Sequence, residues 1–416
     1  MTTSNSSRRD AEQLDLADPL TALRDLFVLP DGVIYLDGNS LGALAKSVPE
    51  RVQRAVELEW GQGLIRSWND ADWYPAPFRV GAMVAALIGA QADEVVVCDS
   101  TSVNLFKVMM AAARMRPGRR VIVADSGNFP TNAYITSEVA RIAGATVVFA
   151  EQSLVPAAID AAGDDLAFVQ LTEVNFKTAE RYDMAAITAQ VQGHGGLVVW
   201  DLCHSAGVLP VDLNACNADF AVGCTYKYLN GGPGSPAFLM VAARHLGAID
   251  QPLPGWHGHA HPFAFAQEYE PDPGIGQMLT GTASQLGLLA LEAALQVFEG
   301  VDMHVVRRKS VSLTDLFITL VDTELTGFDF AVASPRDGLR RGSHVSLSHV
   351  NGYAITQALI AKGVIGDFRA PDLLRFGFSP LYSSHTEVWD AVAILRDLME
   401  TGAWDAPQFH TRKSVT

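Results

Sequence analysis

The sequence predicts an α/β protein: a large, mostly parallel sheet of the seven-stranded type with helices on both faces, then a smaller α+β domain. Three observations lead there. From about residue 94, short β-branched apolar runs alternate with helical stretches, the pattern of parallel strands joined by crossover helices. The chain has 416 residues, 49% apolar against 18% charged, enough for a deeply buried sheet and a second core. An apolar run at 219–223 leads to Cys224-Thr225-Tyr226-Lys227-Tyr228, and three glycines and two prolines then fall within residues 231–236, where neither helix nor strand continues.

In chain order, residues 1–18 are polar and read as a disordered or loosely docked arm leading into a short helix at 19–27. A short strand and a turn-rich loop occupy 32–42, and helices are expected at 48–60 and 77–89, stopped by Gly61 and Gly89. Strands are expected at 94–98, 120–124, 146–150, 167–171, 197–200 and 220–224, with helices at 102–114, 131–143, 153–162 and 183–192. A loop-rich stretch, 251–282, precedes a long helix over 283–324, broken near Gly300. Strands near 328–333, 343–347 and 373–378 and helices at 353–362 and 385–400 complete the chain. The expected division is an arm with a small-domain contribution (1–50), a large domain (51–282) and a connecting helix with the small domain (283–416).

The 30 basic and 46 acidic residues give a net charge of −16, which argues against non-specific nucleic-acid or anionic-membrane binding. Any anionic ligand must therefore be held by local donors. Cys98, Cys203, Cys216 and Cys224 form no CxxC pair and no metal-ligand spacing, so no metal is expected. With neither an apolar signal core nor a membrane-spanning run, the expected compartment is the reducing cytoplasm.

Ligands on such sheets sit at the carboxyl ends of the strands. The first strand is followed by Asp99-Ser100-Thr101, hydroxyls opening a helix, which serve as plain caps or as an anion site. The second is followed by Asn128-Phe129-Pro130-Thr131-Asn132, an aromatic ring at the edge; the fourth by Thr172; the fifth by Asp201 and His204; the sixth by Tyr226 and Lys227. A carboxylate ending a buried strand needs partners. A lysine held between a strand and a Gly/Pro turn is either a surface residue or a Schiff-base lysine. An anion pocket, a ring face, a buried carboxylate and a lysine at one edge match the needs of pyridoxal 5′-phosphate. Their order also matches fold type I, the aminotransferase-like fold of such enzymes.

With these residues in place, YLDGNSLG (35–42), WGQGLIRSW (60–68), WDLCHSAG (200–207), GCTYKYLNGGPG (223–234), RGSHV (341–345) and RFGFSPLY (375–382) make the chain resemble the kynureninase family. The resemblance is closest to bacterial members and runs from about residue 20 to the C-terminus. It implies a homodimeric, pyridoxal-phosphate-dependent hydrolase that cleaves L-kynurenine to anthranilate and L-alanine in tryptophan degradation. By matching motif, Lys227 carries the cofactor, Asp201 pairs with its ring nitrogen and Phe129 stacks on the ring, with Pro130, Thr131, Asn132, Thr172 and His204 beside it. Ser100, Thr101 and Tyr226 hold the phosphate, and Trp256 and Thr282 reach the cofactor of the partner subunit. Ser40, Trp68 and Arg375 face the substrate, with Arg375 as a two-pronged clamp on the α-carboxylate. Arg375 also reads as a structural ion pair.

Three expectations follow from the resemblance. Lys227 removes the α-proton, Asp201 keeps the ring nitrogen protonated, and Tyr226 delivers protons after the Cβ–Cγ bond breaks. Asn132 departs from the family, which usually carries an aspartate there, and this bears on the cofactor's protonation. Trp68 and Thr282 match positions that differ with substrate, which favours L-kynurenine over its 3-hydroxy derivative. The rival readings are a cysteine desulfurase or aminotransferase of the same subgroup, and a non-catalytic protein that merely holds the cofactor. A desulfurase needs a nucleophilic cysteine on a mobile loop, and none of the four cysteines stands in one. A pure binder needs no carbanion sink, yet Lys227, Asp201 and Arg375 occur together.

Overall fold

The computed structural model describes residues 7–413, which divide into two compact units. The larger holds Ser47–Asn175 and Tyr182–Gln296. Its seven-stranded sheet has the order Val95–Val97, Phe238–Val241, Phe220–Gly223, Leu197–Asp201, Leu166–Thr172, Val121–Asp125, Thr146–Ala150. Neighbours pair in parallel from Phe220–Gly223 onward. Phe238–Val241 runs antiparallel to both of its neighbours. Val95–Val97 therefore points the same way as the rest, and the helix after it opens at the same edge as Asp201 and Lys227. No strand is expected at 238–241 from the sequence. An antiparallel neighbour needs no crossover helix to announce it, and this one follows the Gly/Pro turn directly.

Period-two alternation decides what each face of the sheet buries. Leu197 and Val199 pack with Leu105, Val108 and Met109 of the Thr101–Arg114 helix and with Val139 and Ala140 of the Pro130–Ala143 helix. On the other face Trp200 is fully buried, and its indole N–H donates to Thr188 Oγ1 of the Met184–Gly193 helix at 3.1 Å. Every residue of Leu166–Thr172 is buried, as a central strand requires.

The smaller unit holds the chain up to Lys46, then Phe176–Arg181, then the chain from Val297 on. Its antiparallel sheet runs Ala331–Val332, His344–Ser348, Leu373–Gly377, Asp367–Arg369. Val345, Leu347, Leu374 and Phe376 share a core with Leu313, Phe317 and Leu320 of the Met303–Glu324 helix and with Val388, Val392 and Leu395 of the His385–Thr401 helix. Arg341 is fully buried and donates to the carbonyls of Pro335 at 2.6 Å and Arg336 at 3.0 Å. That motif arginine is structural.

Two expectations need correction. The arm at 1–18 contains a docked helix, Arg8–Leu16, opened by a Ser7–Asp10 capping box and burying Ala11; its first six residues lie outside the described residues. Residues 19–27 form a 3₁₀ turn, Thr21–Leu26, running into a short strand, Phe27–Val28. The long helix is broken near Gly300, as expected, into Gln285–Leu295 and Met303–Glu324, with Gly300 at φ +72°. The first of the two belongs to the larger unit. It buries Leu288, Leu289 and Leu291, and Glu292 holds Arg79 at 2.6 Å. No helix among the described residues is long and apolar enough to cross a membrane.

Candidate active site

At the carboxyl edge of the large sheet, Val95–Val97 gives way to Cys98 and to Asp99, which takes a left-handed φ of +49°. Ala237 N–H donates to the Asp99 carbonyl at 2.9 Å and fixes this turn to the antiparallel strand. Ser100 then caps the Thr101–Arg114 helix, its hydroxyl accepting from Val103 N–H at 3.4 Å. The Thr101 hydroxyl lies 4.0 Å from Cys203 Sγ, so this helix N-terminus stands beside the segment that follows Asp201.

Asp201 ends its strand nearly fully buried, and both of its oxygens are occupied. Oδ1 accepts from Cys203 N–H at 2.8 Å and Oδ2 from the Asn132 amide at 2.8 Å. The same amide is 3.3 Å from Thr172 Oγ1, whose hydroxyl donates to Asn128 Oδ1 at 2.5 Å. Register explains the meeting: Thr172 and Asp201 are direct partners across parallel strands. Asn132 thus acts on Asp201, as a neutral donor where an aspartate would bring a second negative charge. Phe129, capping the helix that carries Asn132, offers an exposed ring; Pro130 and Thr131 are the first residues of that helix.

Lys227 stands four residues beyond Phe220–Gly223 and is half-buried. Its carbonyl accepts from Asn230 N–H at 2.9 Å, and Gly231 N–H returns to the Thr225 carbonyl at 2.9 Å. A Cβ on Gly231 would sit 2.6 Å from Ser235 Oγ and 3.0 Å from the Thr225 carbonyl, so only glycine closes the turn this tightly. Lys227 Nζ is 3.2 Å from His204 Nε2 and 5.9 Å from the centre of the Tyr226 ring. Cys224, together with burial, pushes the Tyr226 phenol up. Burial raises Cys98 to about 12, and Cys224 is buried as well, so neither resembles an exposed nucleophile.

The smaller unit carries a second cluster. Arg375, nearly fully buried, donates Nε–H to Asp367 Oδ1 at 2.9 Å, and its Nη2 reaches Asp367 Oδ2 at 2.5 Å and Ser40 Oγ at 2.9 Å. Nη1 donates to the Phe176 carbonyl at 2.6 Å. The clamp expected to be open is thus engaged along one whole edge by Asp367, its direct partner on the neighbouring strand. Arg369 Nη2 joins at 2.5 Å from the same carboxylate. Burial and then Asp367 push Asp37 up to about 7. Asn39, fully buried beside Gly377, leaves both amide atoms without a partner. Asp37, Asp367 and Arg369 were missed from the sequence; a charged residue within an apolar strand pair was the available signal. A cavity of about 850 Å³ in this unit, lined by Arg24, Phe27, Lys46 and Glu387, takes in none of the predicted residues.

Three predicted residues of the larger unit make their contacts elsewhere or lie exposed. Trp68 is half-buried, edge-on to Trp73 at 6.1 Å. Trp256 is exposed and stacks on His257 at 4.9 Å, and Thr282 is exposed. Among the described residues no hydrogen bond or ring contact ties Trp256 or Thr282 to Lys227, Asp201 or His204.

Comparison with known proteins bears on the whole chain. A family model described as the kynureninase C-terminal domain matches residues 306–395. Kynureninase from Burkholderia mallei (strain SAVP1) is 50% identical over 417 residues, covering 99% of this chain and 100% of that protein. Kynureninase from Pseudomonas fluorescens is 49% identical over 418 residues, with the same coverage. Among solved structures, a cysteine desulfurase from Thermococcus onnurineus NA1 matches with a TM-score of 0.78 at 18% identity, over 91% of this chain and 98% of that one. The cystine C-S lyase C-DES, solved with its product cysteine persulfide, matches at 0.76 and 17%, over 88% and 98%. At such identities the structural likeness speaks for the fold alone, that of fold type I, class V pyridoxal-phosphate enzymes. Half-identity along its entire length is a different measure, and by it the chain belongs to the kynureninase family.

Proposed function

We propose that the chain hydrolyses L-kynurenine to anthranilate and L-alanine, using pyridoxal 5′-phosphate and working as a homodimer in the cytoplasm. The observation that carries this reading is Lys227 Nζ, 3.2 Å from His204 Nε2, at the same sheet edge as the doubly hydrogen-bonded Asp201 carboxylate. The donor set suits that cofactor. A helix N-terminus with Ser100 and Thr101 fits a phosphate dianion, the Phe129 ring fits a pyridine face, Asp201 fits the ring nitrogen and Lys227 the aldehyde. When bound, the cofactor supplies an electron sink for negative charge at the substrate's Cα.

The chain's own residues do the rest. Asp201 holds a proton on the ring nitrogen, and Lys227 Nζ takes the Cα proton. Tyr226, its phenol raised by Cys224 and burial, stays protonated through neutral pH and returns protons. Water adds to the γ-carbonyl carbon and the Cβ–Cγ bond breaks; the oxygen leaves in the anthranilate carboxylate, and a proton goes to Cβ of alanine. Ser40 and Arg375 take the substrate's α-carboxylate. Asp367 and Ser40 take Nε–H and Nη2, and the Phe176 carbonyl takes one Nη1 hydrogen. The Ser40 hydroxyl donates to Asp367, so the second Nη1 hydrogen is what remains for the substrate's carboxylate unless Ser40 turns from Asp367.

Trp68 and Thr282 favour the unhydroxylated substrate, since a ring hydroxyl against an indole face loses water and gains no partner. One such group costs about 1–3 kcal/mol, roughly ten- to a hundredfold in specificity. The test is fluorescence of the aromatic product from purified, cofactor-loaded protein, anthranilate when given L-kynurenine and 3-hydroxyanthranilate when given 3-hydroxykynurenine. From L-kynurenine, equal amounts of anthranilate and alanine should form, Lys227→Ala should abolish both, and kcat/KM should favour L-kynurenine over its 3-hydroxy derivative at least about tenfold. Sulfur release from cysteine without anthranilate would instead favour the desulfurase reading, and equal kcat/KM values would overturn the roles of Trp68 and Thr282.

A further inference from the structure

Lys107 lies two turns into the Thr101–Arg114 helix, with its side chain fully buried. Its ammonium is 2.6 Å from Asp99 Oδ2 and donates to the Met278 carbonyl at 2.7 Å. A buried cation needs such partners, and losing one leaves an uncompensated charge. What matters is where the partner stands. Asp99 immediately precedes Ser100 and Thr101, and its carboxylate is about one-third exposed at that helix N-terminus. An unneutralised carboxylate there would repel a phosphate dianion seated on the same helix end. Asp99 also holds a left-handed φ of +49°, a conformation that a residue with a side chain keeps only when its surroundings impose it. Lys107 grips its side chain while Ala237 grips its carbonyl. Met278, the other acceptor, ends the turn Ile275–Met278 just before Gly281 and Thr282.

We propose that Lys107 is a positioning residue for the phosphate site: it neutralises Asp99 and fixes the Asp99–Ser100 turn, leaving the helix N-terminus free to hold the phosphate. This rests on the cofactor assigned above. It concerns a lysine that touches neither cofactor nor substrate.

The experiment titrates the full-length apo-protein with pyridoxal 5′-phosphate and with pyridoxal, which lacks the phosphate, following the absorbance of the aldehyde bound to Lys227. Lys107→Met should weaken pyridoxal 5′-phosphate at least about tenfold while leaving pyridoxal within about twofold. Lys107→Met with Asp99→Asn, which removes both charges, should bring pyridoxal 5′-phosphate back to within about threefold of the unaltered protein. If both ligands weaken equally, Lys107 only supports the fold and the proposal fails. If neither weakens, it fails as well. Should Lys107→Met not fold, the double variant decides: a folded double variant that loses pyridoxal 5′-phosphate selectively overturns neutralisation of Asp99. An unaltered protein that binds neither ligand at Lys227 would overturn the cofactor reading itself and this inference with it.

Discussion

Asn132 sets the charge around Asp201. Its amide N–H donates to the carboxylate oxygen 2.8 Å away, so the acid at the end of the Leu197–Asp201 strand has both oxygens hydrogen-bonded and gains no second acid beside it. Asn132→Asp would face that carboxylate with another, and two acids in contact retain a proton to well above the usual carboxylate range. A carboxyl whose folded-state pKa is raised contributes stability that is present at low pH and lost as pH climbs through the raised value. The variant should therefore melt near the unaltered protein at pH 5 and clearly below it at pH 8. The pH at which the bound cofactor's absorbance changes should rise by on the order of one unit. Superimposable melting and absorbance titrations would show position 132 to be electrostatically silent.

At the scale of elements, the Arg8–Leu16 helix shows how a polar segment becomes ordered structure. It buries only Ala11 as core, so its docking depends on polar contacts. Asp15 accepts from His385 N–H at 2.7 Å, His385 Nδ1 at 2.9 Å, Thr386 N–H at 2.9 Å and the Thr386 hydroxyl at 2.6 Å, capping the His385–Thr401 helix from outside. Burial alone would raise this carboxyl, but the donors from His385 and Thr386 outweigh it and hold it well below the usual range. Such a lowered carboxylate contributes stability above its unfolded pKa and loses it as pH falls toward the folded value. Asp15→Ala should cost about 1 kcal/mol at pH 7, a figure discounted because the carboxylate is partly in water. The gap in melting temperature should narrow below pH 4; a gap independent of pH would mean that the loss is packing and not charge.

For the whole molecule, the proposed homodimer would give a place to Trp256, exposed on a ring-rich loop, and to Thr282, exposed without a tie to its own Lys227. If both serve the partner's site, two defective chains should repair each other. In a mixture of Lys227→Ala and Trp256→Ala chains allowed to exchange subunits, each hybrid dimer has one site with its own Lys227 and the partner's Trp256. Random exchange should restore about a quarter of the unaltered activity. Activity no greater than the average of the two parents would place Trp256 on its own subunit's site.

The sheet, its helices and the residues at the carboxyl edge were legible because each is written locally. Parallel strands read as apolar runs, and the Gly/Pro turn after Lys227 is a backbone constraint that short-range sequence expresses. The same locality puts Ser100, Phe129, Asp201 and Lys227 just beyond or at strand ends. What the tertiary structure alone decided are the pairings between distant segments. Asp367 closes one edge of Arg375, Asn132 meets Asp201 from a helix packed at the end of its strand, and Lys107 reaches back to Asp99 and across to Met278. Hydrogen bonds and ion pairs act over about 3 Å, and which groups come within that distance depends on how strands align and helices pack. A lysine in a helix, or an asparagine after a proline, reads the same whether it faces water or a buried carboxylate.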